Sequence, residues 1–188
     1  ASITKIMTSY IVADYLKQGF LNIKDSTTVS EKCWRMEGSR MFIQEGKKVL
    51  IEDLMRGMII QSGNDAACAL AEHIAGTQED FASLMNDYAQ KMELKNTNFT
   101  NPTGLPNVNH YSTAEDIAKL SIVLINDFPD EYAIYSEKEF TYNDIRQLNR
   151  NSLLWQDDSI DGIKTGHTRA SGYCLVASSK RADMRLIS

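Results

Sequence analysis

The chain has 188 residues, a length that suits one domain and is too short for two independent cores of typical size. Hydrophobic residues make up 43% and charged residues 24%, a composition typical of globular proteins that excludes a disordered or fibrous one. With 20 basic and 25 acidic residues the net charge is -5, so the positive surface that phosphate backbones require is missing, and we expect no nucleic acid partner.

Helices are predicted from the first residues to the middle of the chain. Apolar residues recur at helical spacing through residues 3–15, and Gly19 follows where a glycine commonly ends a helix. Ser2 therefore lies at a helix N-terminus. Two short helices are predicted at 51–60 and at about 65–76.

Two further helices begin with capping signals. Thr77 has Asp80 three positions later, and an apolar stripe at helical spacing follows. Ser112 and Glu115 form a second capping box, which predicts a helix running to about Asn126.

After Glu139 the pattern changes to short apolar runs between polar turns, which predicts strands. The runs are 140–143, 160–164, 172–178 and 184–188. A block of helices followed by strands predicts an α+β fold whose sheet is packed by the helices. Because the chain opens in a helical pattern and stops inside a predicted strand, we expect it to be an excerpt of a longer protein.

Cysteine content and hydropathy leave the compartment open. Cys33, Cys68 and Cys174 are too few for a disulfide scaffold, and their odd number leaves at least one thiol without an intramolecular partner. No apolar run approaches the ~20 residues that cross a bilayer, and no signal peptide pattern is present. In an excerpt, these absences do not indicate localisation.

Ser2 and Lys5 stand three positions apart at the start of the first helix, where both side chains share one face. A serine hydroxyl becomes a good nucleophile when a base removes its proton, and a lysine desolvated among other cations can be that base. The free N–H groups of the helix N-terminus favour negative charge beside Ser2. Taken alone, the spacing is more typical of solvated helix surface.

Two other short motifs have ordinary structural interpretations when each is considered alone. Ser62-Gly63-Asn64 separates two predicted helices, and such residues form turns and cap helices. Lys164-Thr165-Gly166 ends a predicted strand, where a lysine protects an exposed edge. The three motifs together in this order are much rarer, and the ordered set is found in penicillin-binding proteins and class A β-lactamases.

The sequence resembles the low-molecular-mass D-alanyl-D-alanine carboxypeptidases of the penicillin-binding protein 5 and 6 type over essentially its whole length. Four segments carry the resemblance: 2–8, 61–66, 146–151 and 161–168. It implies that residues 1–188 form a transpeptidase-like catalytic domain truncated at both ends, with a helical cluster packed on an antiparallel sheet. It also implies that the family's C-terminal β-domain and membrane anchor lie outside this chain.

The resemblance implies a serine hydrolase that removes the terminal D-alanine from the pentapeptide stem of peptidoglycan through an acyl-enzyme. β-Lactam antibiotics would acylate the same serine. Such enzymes take part in cell-wall synthesis in the bacterial periplasm, peripheral to the inner membrane, which they contact through a C-terminal segment missing here.

Position by position, the resemblance makes Ser2 the nucleophile and Lys5 its base. Ser62 and Asn64 would line the cleft, relay a proton and hold the substrate. Lys164 would supply positive potential.

The resemblance also assigns substrate binding to Thr165, Gly166, His167 and Arg150. Thr165 would bind the substrate carboxylate, with help from Arg150, although an exposed arginine beside a turn is an equally good interpretation. The backbone N–H groups of Ser2 and His167 would form the oxyanion hole, where one donor contributes about 3 kcal/mol.

We expect no cofactor and no metal. His73 falls in an alanine-rich helix and His110 in a loop, and neither belongs to a cluster of ligands in the sequence. The stretch 29–46 is shorter than the corresponding region of the best-known family members, where a loop near the active site influences deacylation. The resemblance therefore does not predict the deacylation rate.

Two alternative functions stay open. A class A-like β-lactamase shares the acylation residues but needs a Glu-x-x-Leu-Asn segment to activate water; the nearest match, Glu139 with Asn143, has Tyr142 in place of the leucine. A non-catalytic β-lactam sensor or scaffold would keep the motifs without turning over peptide.

Overall fold

Helices fill most of the chain up to Tyr132, and the computed structural model describes all residues, 1–188. The helices are α1 (Lys5–Lys17), α2 (Glu31–Trp34), α3 (Ile51–Ile60), α4 (Asn64–Ala75), α5 (Gln78–Lys91), α6 (Ala114–Asp127) and α7 (Pro129–Tyr132). Short 3₁₀ turns occur at Ser2–Thr4, Ala133–Ser136 and Ser152–Trp155. None of the helices combines the length and the apolar character that crossing a lipid bilayer requires.

The strands form three separate antiparallel sheets. They are β1 (Ser26–Thr28), β2 (Lys48–Leu50), β3 (Glu139–Tyr142), β4 (Ile145–Leu148), β5 (Ile160–Thr168), β6 (Gly172–Arg181) and β7 (Met184–Ile187). The first two strands pair with each other, the next two form a hairpin, and the last three form one sheet in chain order. The predicted α+β class is confirmed.

The central element is α1, which is buried on all sides over nine consecutive residues from Lys5 to Ala13. It packs against α3, α4, α5 and α6, and its buried hydroxyls, Thr8 and Ser9, donate to backbone carbonyls. Its N-terminal residue is the lysine of the first motif. The fold therefore carries that amine into the interior, where water cannot solvate its charge.

Helix capping follows the sequence with one correction. Thr77 accepts a hydrogen bond from the backbone N–H of Asp80, as predicted. The cap of α6, however, is Thr113, which accepts from the N–H of Asp116, one residue later than predicted. Ser112 instead pairs with the hydroxyl of Thr97, because two adjacent hydroxyl residues compete for one cap.

Two strand predictions need correction. β5 does not end at Lys164 but continues to Thr168, so Lys164-Thr165-Gly166 lies inside the strand and not at its end. β4 was missed, although it follows a two-residue turn at Asn143 and Asp144, both with positive φ, a common hairpin connection.

Candidate active site

The three sequence motifs meet in one place, although they lie up to 162 positions apart in the chain. Lys5 Nζ is 2.9 Å from Ser2 Oγ and 2.7 Å from Asn64 Oδ1. Lys164 Nζ donates a hydrogen bond to Ser62 Oγ at 3.0 Å. The structure thus brings together the five residues proposed to be catalytic, two of them on the helix start and three on surrounding segments.

The Lys5 amine is fully enclosed, with 1% of the residue exposed. Burial lowers the pKa of Lys5 well below its usual value, and the positive charge of Lys164 lowers it further, while Asp65 acts in the opposite direction. The neutral amine is therefore accessible at a pH where an exposed lysine is protonated.

The partners of Lys5 indicate where its lone pair points. Besides Ser2 Oγ, the amine contacts Asn64 Oδ1 and the carbonyl oxygen of Thr103 at 2.9 Å. These two oxygens can only accept hydrogen bonds. A neutral amine that donates its two N–H groups to them has its lone pair directed at the Ser2 hydroxyl, which is the geometry of a general base.

Ser62 and Lys164 form the second polar pair of the site, and both are buried. Burial lowers the pKa of Lys164 to about 7, with the charge of Arg150 contributing. Ser62 connects α3 to α4 with φ of 66°, a conformation that costs a non-glycine residue of order 1–3 kcal/mol. Because Ser62 accepts from Lys164, its own O–H is free to donate to a bound substrate.

A buried carboxylate at the start of α4 holds the segment in front of the site. Asp65 accepts hydrogen bonds from the backbone N–H groups of Met41, Phe42 and Ile43 at 2.9, 2.9 and 3.2 Å. No sequence motif predicts a role for Asp65. An aspartate in the first turn of a predicted helix was the available signal, but its backbone partners lie more than 20 residues away.

We expect Asp65→Asn to lower the free energy of unfolding by about 2 kcal/mol, since the amide nitrogen would face N–H donors that now meet a carboxylate oxygen. Urea denaturation followed by circular dichroism measures the change. The matched control is Asp53→Asn on α3, which should leave stability nearly unchanged. Equal stability of the two variants would contradict this role for Asp65.

β5 runs directly along Ser2, the proposed nucleophile. A Cβ atom added at Gly166 would lie 2.9 Å from the backbone nitrogen of Ser2, so only glycine allows this approach. Thr165 and Gly166 are half-buried here, while the exposed ring of His167 packs on Tyr173. The strand backbone, and not the imidazole, thus faces the nucleophile region.

Arg150 lies at the edge of the site. Its side chain is exposed, its backbone N–H donates to the carbonyl of Ile60 at 3.3 Å, and its charge reaches Lys164. The neighbouring Asn151 is buried and donates to the carbonyl of Gly162 in β5 at 3.0 Å. This segment therefore links the end of α3 to the strand that carries Lys164.

His110 ties a loop to the nucleophile turn. Its Nδ1 accepts from the backbone N–H of Thr100 at 3.0 Å, so Nε2 carries the proton and donates to Thr4 Oγ1 at 2.7 Å. Burial lowers the pKa of His110 to about 4, which keeps the ring neutral at neutral pH. The same loop supplies the Thr103 carbonyl to Lys5, a contact that side-chain motifs cannot reveal.

The three cysteines form one disulfide and leave one free thiol. Cys33 is bonded to Cys68, and Cys174 is free, in agreement with the odd count. Cys33, Cys68 and Glu72 are also close enough to form a group of potential metal ligands. Because the two sulfurs are bonded to each other, neither is available as a thiolate. His73 lies on α4, outside this group.

Comparisons with known proteins identify the family of this chain. The profile of the D-alanyl-D-alanine carboxypeptidase family, peptidase S11, matches residues 1–188. The D-alanyl-D-alanine carboxypeptidase DacA of Haemophilus influenzae is 51% identical over 193 residues, which cover 100% of this chain and 49% of that protein.

Two solved structures show the same fold. Penicillin binding protein 5 from Haemophilus influenzae superposes with a TM-score of 0.96 at 50% identity, over 100% of this chain and 56% of that chain. Penicillin-Binding Protein D2 from Listeria monocytogenes, in its ampicillin bound form, gives a TM-score of 0.89 at 28% identity, over 100% and 76% of the two chains.

The chain spans about half the length of the curated relatives it matches. The match nevertheless covers every residue of the chain, and with it all three motifs. The predicted resemblance is confirmed. This chain belongs to the D-alanyl-D-alanine carboxypeptidase family, the low-molecular-mass penicillin-binding proteins of the type 5 and 6 group.

Proposed function

We propose that residues 1–188 form the catalytic domain of a serine-type D-Ala-D-Ala carboxypeptidase. It removes the terminal D-alanine from peptidoglycan pentapeptides through an acyl-enzyme on Ser2. The observation that carries this proposal is the contact of the enclosed Lys5 amine with Ser2 Oγ at 2.9 Å, in a chain that belongs to this family throughout.

In the acylation step, neutral Lys5 takes the Ser2 proton while Oγ attacks the carbonyl carbon between the two D-alanines. The N–H groups of Ser2 and His167 bind the developing oxyanion. Ser62 donates a proton to the leaving nitrogen, and the proton taken by Lys5 replaces it, so free D-alanine leaves as an amine. Asn64 keeps Lys5 in place through its Oδ1.

Deacylation uses the same base. Departure of D-alanine opens space for water beside the ester, and Lys5, which has passed its proton on through Ser62, is again neutral. It accepts a proton from the water as the water attacks the ester carbonyl. The released Ser2 Oγ takes this proton back from Lys5, which restores the serine hydroxyl and the neutral amine of the free enzyme.

The free carboxylate of the substrate meets a positive region. Lys164 and Thr165 on β5, together with Arg150 at the site edge, bind it in this proposal, alongside the Gly166 backbone. A carboxylate beside Lys164 favours the ammonium, so binding raises the pKa of Lys164 from about 7 and keeps this group charged.

A peptide amidated at its C-terminus should react about 10- to 150-fold more slowly than the free acid, since losing a charge-assisted hydrogen bond costs about 1.5–3 kcal/mol. Release of D-alanine or D-alaninamide from otherwise identical peptides measures the effect. Equal rates for the acid and the amide would show that Lys164 and Thr165 do not bind the C-terminal carboxylate of the substrate.

β-Lactams are the second proposed class of ligand. The Listeria relative is solved in an ampicillin bound form, which supports acylation of this site by penicillins. After penicillin reacts, its leaving amine stays tethered to the acyl group and obstructs the approach of water to the ester. No second carboxylate base is present to activate a water molecule from another direction.

We therefore expect the full-length protein to release D-alanine catalytically while its penicilloyl adduct persists for minutes or longer. Intact-mass readings after rapid removal of free penicillin follow the adduct, and D-alanine release follows peptide turnover. β-Lactam turnover that matches peptide turnover would favour the class A-like β-lactamase. A stable adduct without any peptide turnover would favour a sensor or scaffold.

The proposed setting is the bacterial periplasm, with the pentapeptide stem as partner. The family match to cell-wall carboxypeptidases supports this setting. Contact with the inner membrane through a C-terminal segment is part of the same proposal. Fractionation of cells that express the full-length protein, with and without residues beyond this chain, tests it.

A further inference from the structure

A disulfide beside the active site takes no part in the chemistry described above. It joins Cys33 at the end of α2 to Cys68 on α4, and both residues are completely buried. Cys68 stands four positions after Asn64, one helical turn away on the same face. The link therefore reaches the helix that carries Asn64 close to its first turn.

Between α2 and β2 the chain has no regular structure, yet it supports Asn64. The carbonyl of Glu37 accepts from Asn64 Nδ2 at 2.7 Å, and the carbonyl of Ser39 accepts from the Asn64 backbone N–H at 2.7 Å. These bonds fix the amide so that Oδ1 faces Lys5. We call residues 35–43 the support segment.

The support segment fits Asn64 closely. A Cβ atom at Gly38 would lie 2.8 Å from Asn64 Nδ2, and Gly38 takes φ of 81°, which favours glycine. An irregular segment needs anchors to hold such a fit. Asp65 anchors the end of this segment through its bonds to Met41, Phe42 and Ile43. Cys33, two residues before the segment begins, supplies the other anchor.

We propose that the Cys33–Cys68 disulfide is a positioning element for acylation: it fixes the start of the support segment, which orients Asn64, which in turn holds the Lys5 amine against Ser2. This inference rests on the proposed function. Opening the link frees one end of the segment, and the chain entropy it regains favours arrangements in which the Asn64 side-chain amide loses the Glu37 carbonyl and the Asn64 backbone N–H loses the Ser39 carbonyl.

A dithiol reductant converts the Cys33–Cys68 disulfide to two thiols. The S–S bond takes up two electrons and two protons to give two thiols, and the dithiol becomes a cyclic disulfide. Because both sulfurs are buried, reduction requires local opening. The dithiol form is therefore prepared by refolding under reductant, and it differs from the disulfide form by two hydrogen atoms, which intact mass detects.

The test compares the two forms of the full-length protein in a Cys174→Ser background, where residues 1–188 allow only one pairing. Fluorescent penicillin gives the acylation rate, and the end-point of labelling counts active sites, so that unfolded molecules drop out. We expect the dithiol form to acylate about 10-fold more slowly per active site, the scale of one weakened hydrogen bond to a charged group.

A second readout separates positioning from stability. Asn64 Oδ1 favours the Lys5 ammonium, so losing it lowers the pKa of Lys5 and shifts the acidic limb of acylation to lower pH. Lys164 and Asp65, the other charged neighbours of Lys5, are the same in both forms. A purely structural link would lower the number of active sites without moving this limb.

The double variant Cys33→Ala/Cys68→Ala should behave like the dithiol form. Met85→Ala, a core truncation on α5, should lower stability but keep the rate per active site and the pH limb. Equal rates and equal limbs for the disulfide and dithiol forms would overturn the positioning role and leave the proposed function intact. Failure of the disulfide form to label or to release D-alanine would overturn both.

Discussion

Ser2→Ala is expected to abolish covalent labelling by penicillin and to slow D-alanine release by at least about 10⁴-fold, since the acyl-enzyme needs the hydroxyl that this change removes. The variant should fold normally. Ser2 is half-buried in the 3₁₀ turn before α1, and its hydroxyl makes one hydrogen bond, to Lys5.

Intact mass spectrometry after incubation with penicillin is the direct measurement. One added acyl group is expected on the unchanged protein and none on the variant. Ser83→Ala, on the exposed face of α5, is the matched control and should label fully. A label that survives in Ser2→Ala would place the nucleophile at another residue and would remove the mechanism proposed here.

The residues of the candidate site could be proposed from the sequence because their side chains occur in short motifs at fixed spacing. Ser2 and Lys5 share a helix face, and Ser62, Asn64 and Lys164 fall in short motifs that retain their order. The helices were predictable for a similar local reason, since caps such as Thr77 act within four residues.

The parts of the site made by backbone atoms could not be predicted from the sequence. The Thr103 carbonyl reaches Lys5 across 98 positions, and any residue type would supply it. The partners of Asp65 are three backbone N–H groups in a segment without regular structure. The pairing of Cys33 with Cys68 was equally hidden, because three cysteines allow three pairings and only the fold selects one.

The extent of β5 shows how tertiary contacts override a local pattern. A glycine after lysine and threonine predicted the end of the strand. In the structure Gly166 continues it, because the missing side chain makes room for the Ser2 backbone. A residue that weakens a strand in isolation here permits the strand to pass close to Ser2.

Lys5→Arg is the substitution that separates a base from a positive charge at this position. Arginine keeps the charge but stays protonated at all accessible pH, so it has no lone pair to offer. We expect the acylation rate to fall by about 10²- to 10⁴-fold, the contribution typical of a positioned general base. Lys17→Arg, at the exposed end of the same helix, is the matched control and should retain the full rate.

The pH dependence gives the same test a second readout. Because burial lowers the pKa of Lys5, the unchanged protein should acylate faster as the pH rises through that lowered pKa, well before an exposed lysine would lose its proton. In Lys5→Arg this limb should disappear, since the one amine that contacts Ser2 Oγ is replaced by a guanidinium that stays protonated. Stopped-flow labelling with fluorescent penicillin across the pH range records both profiles.

A rate within tenfold of the unchanged protein, with the acidic limb still present, would mean that Lys5 is not the base. Lys164 would then be the candidate base, since burial lowers its pKa to about 7 and its amine contacts the Ser62 hydroxyl at 3.0 Å. Proton transfer would in that case run from Ser2 through Ser62 to Lys164. Lys164→Arg would then remove the limb that Lys5→Arg had left unchanged.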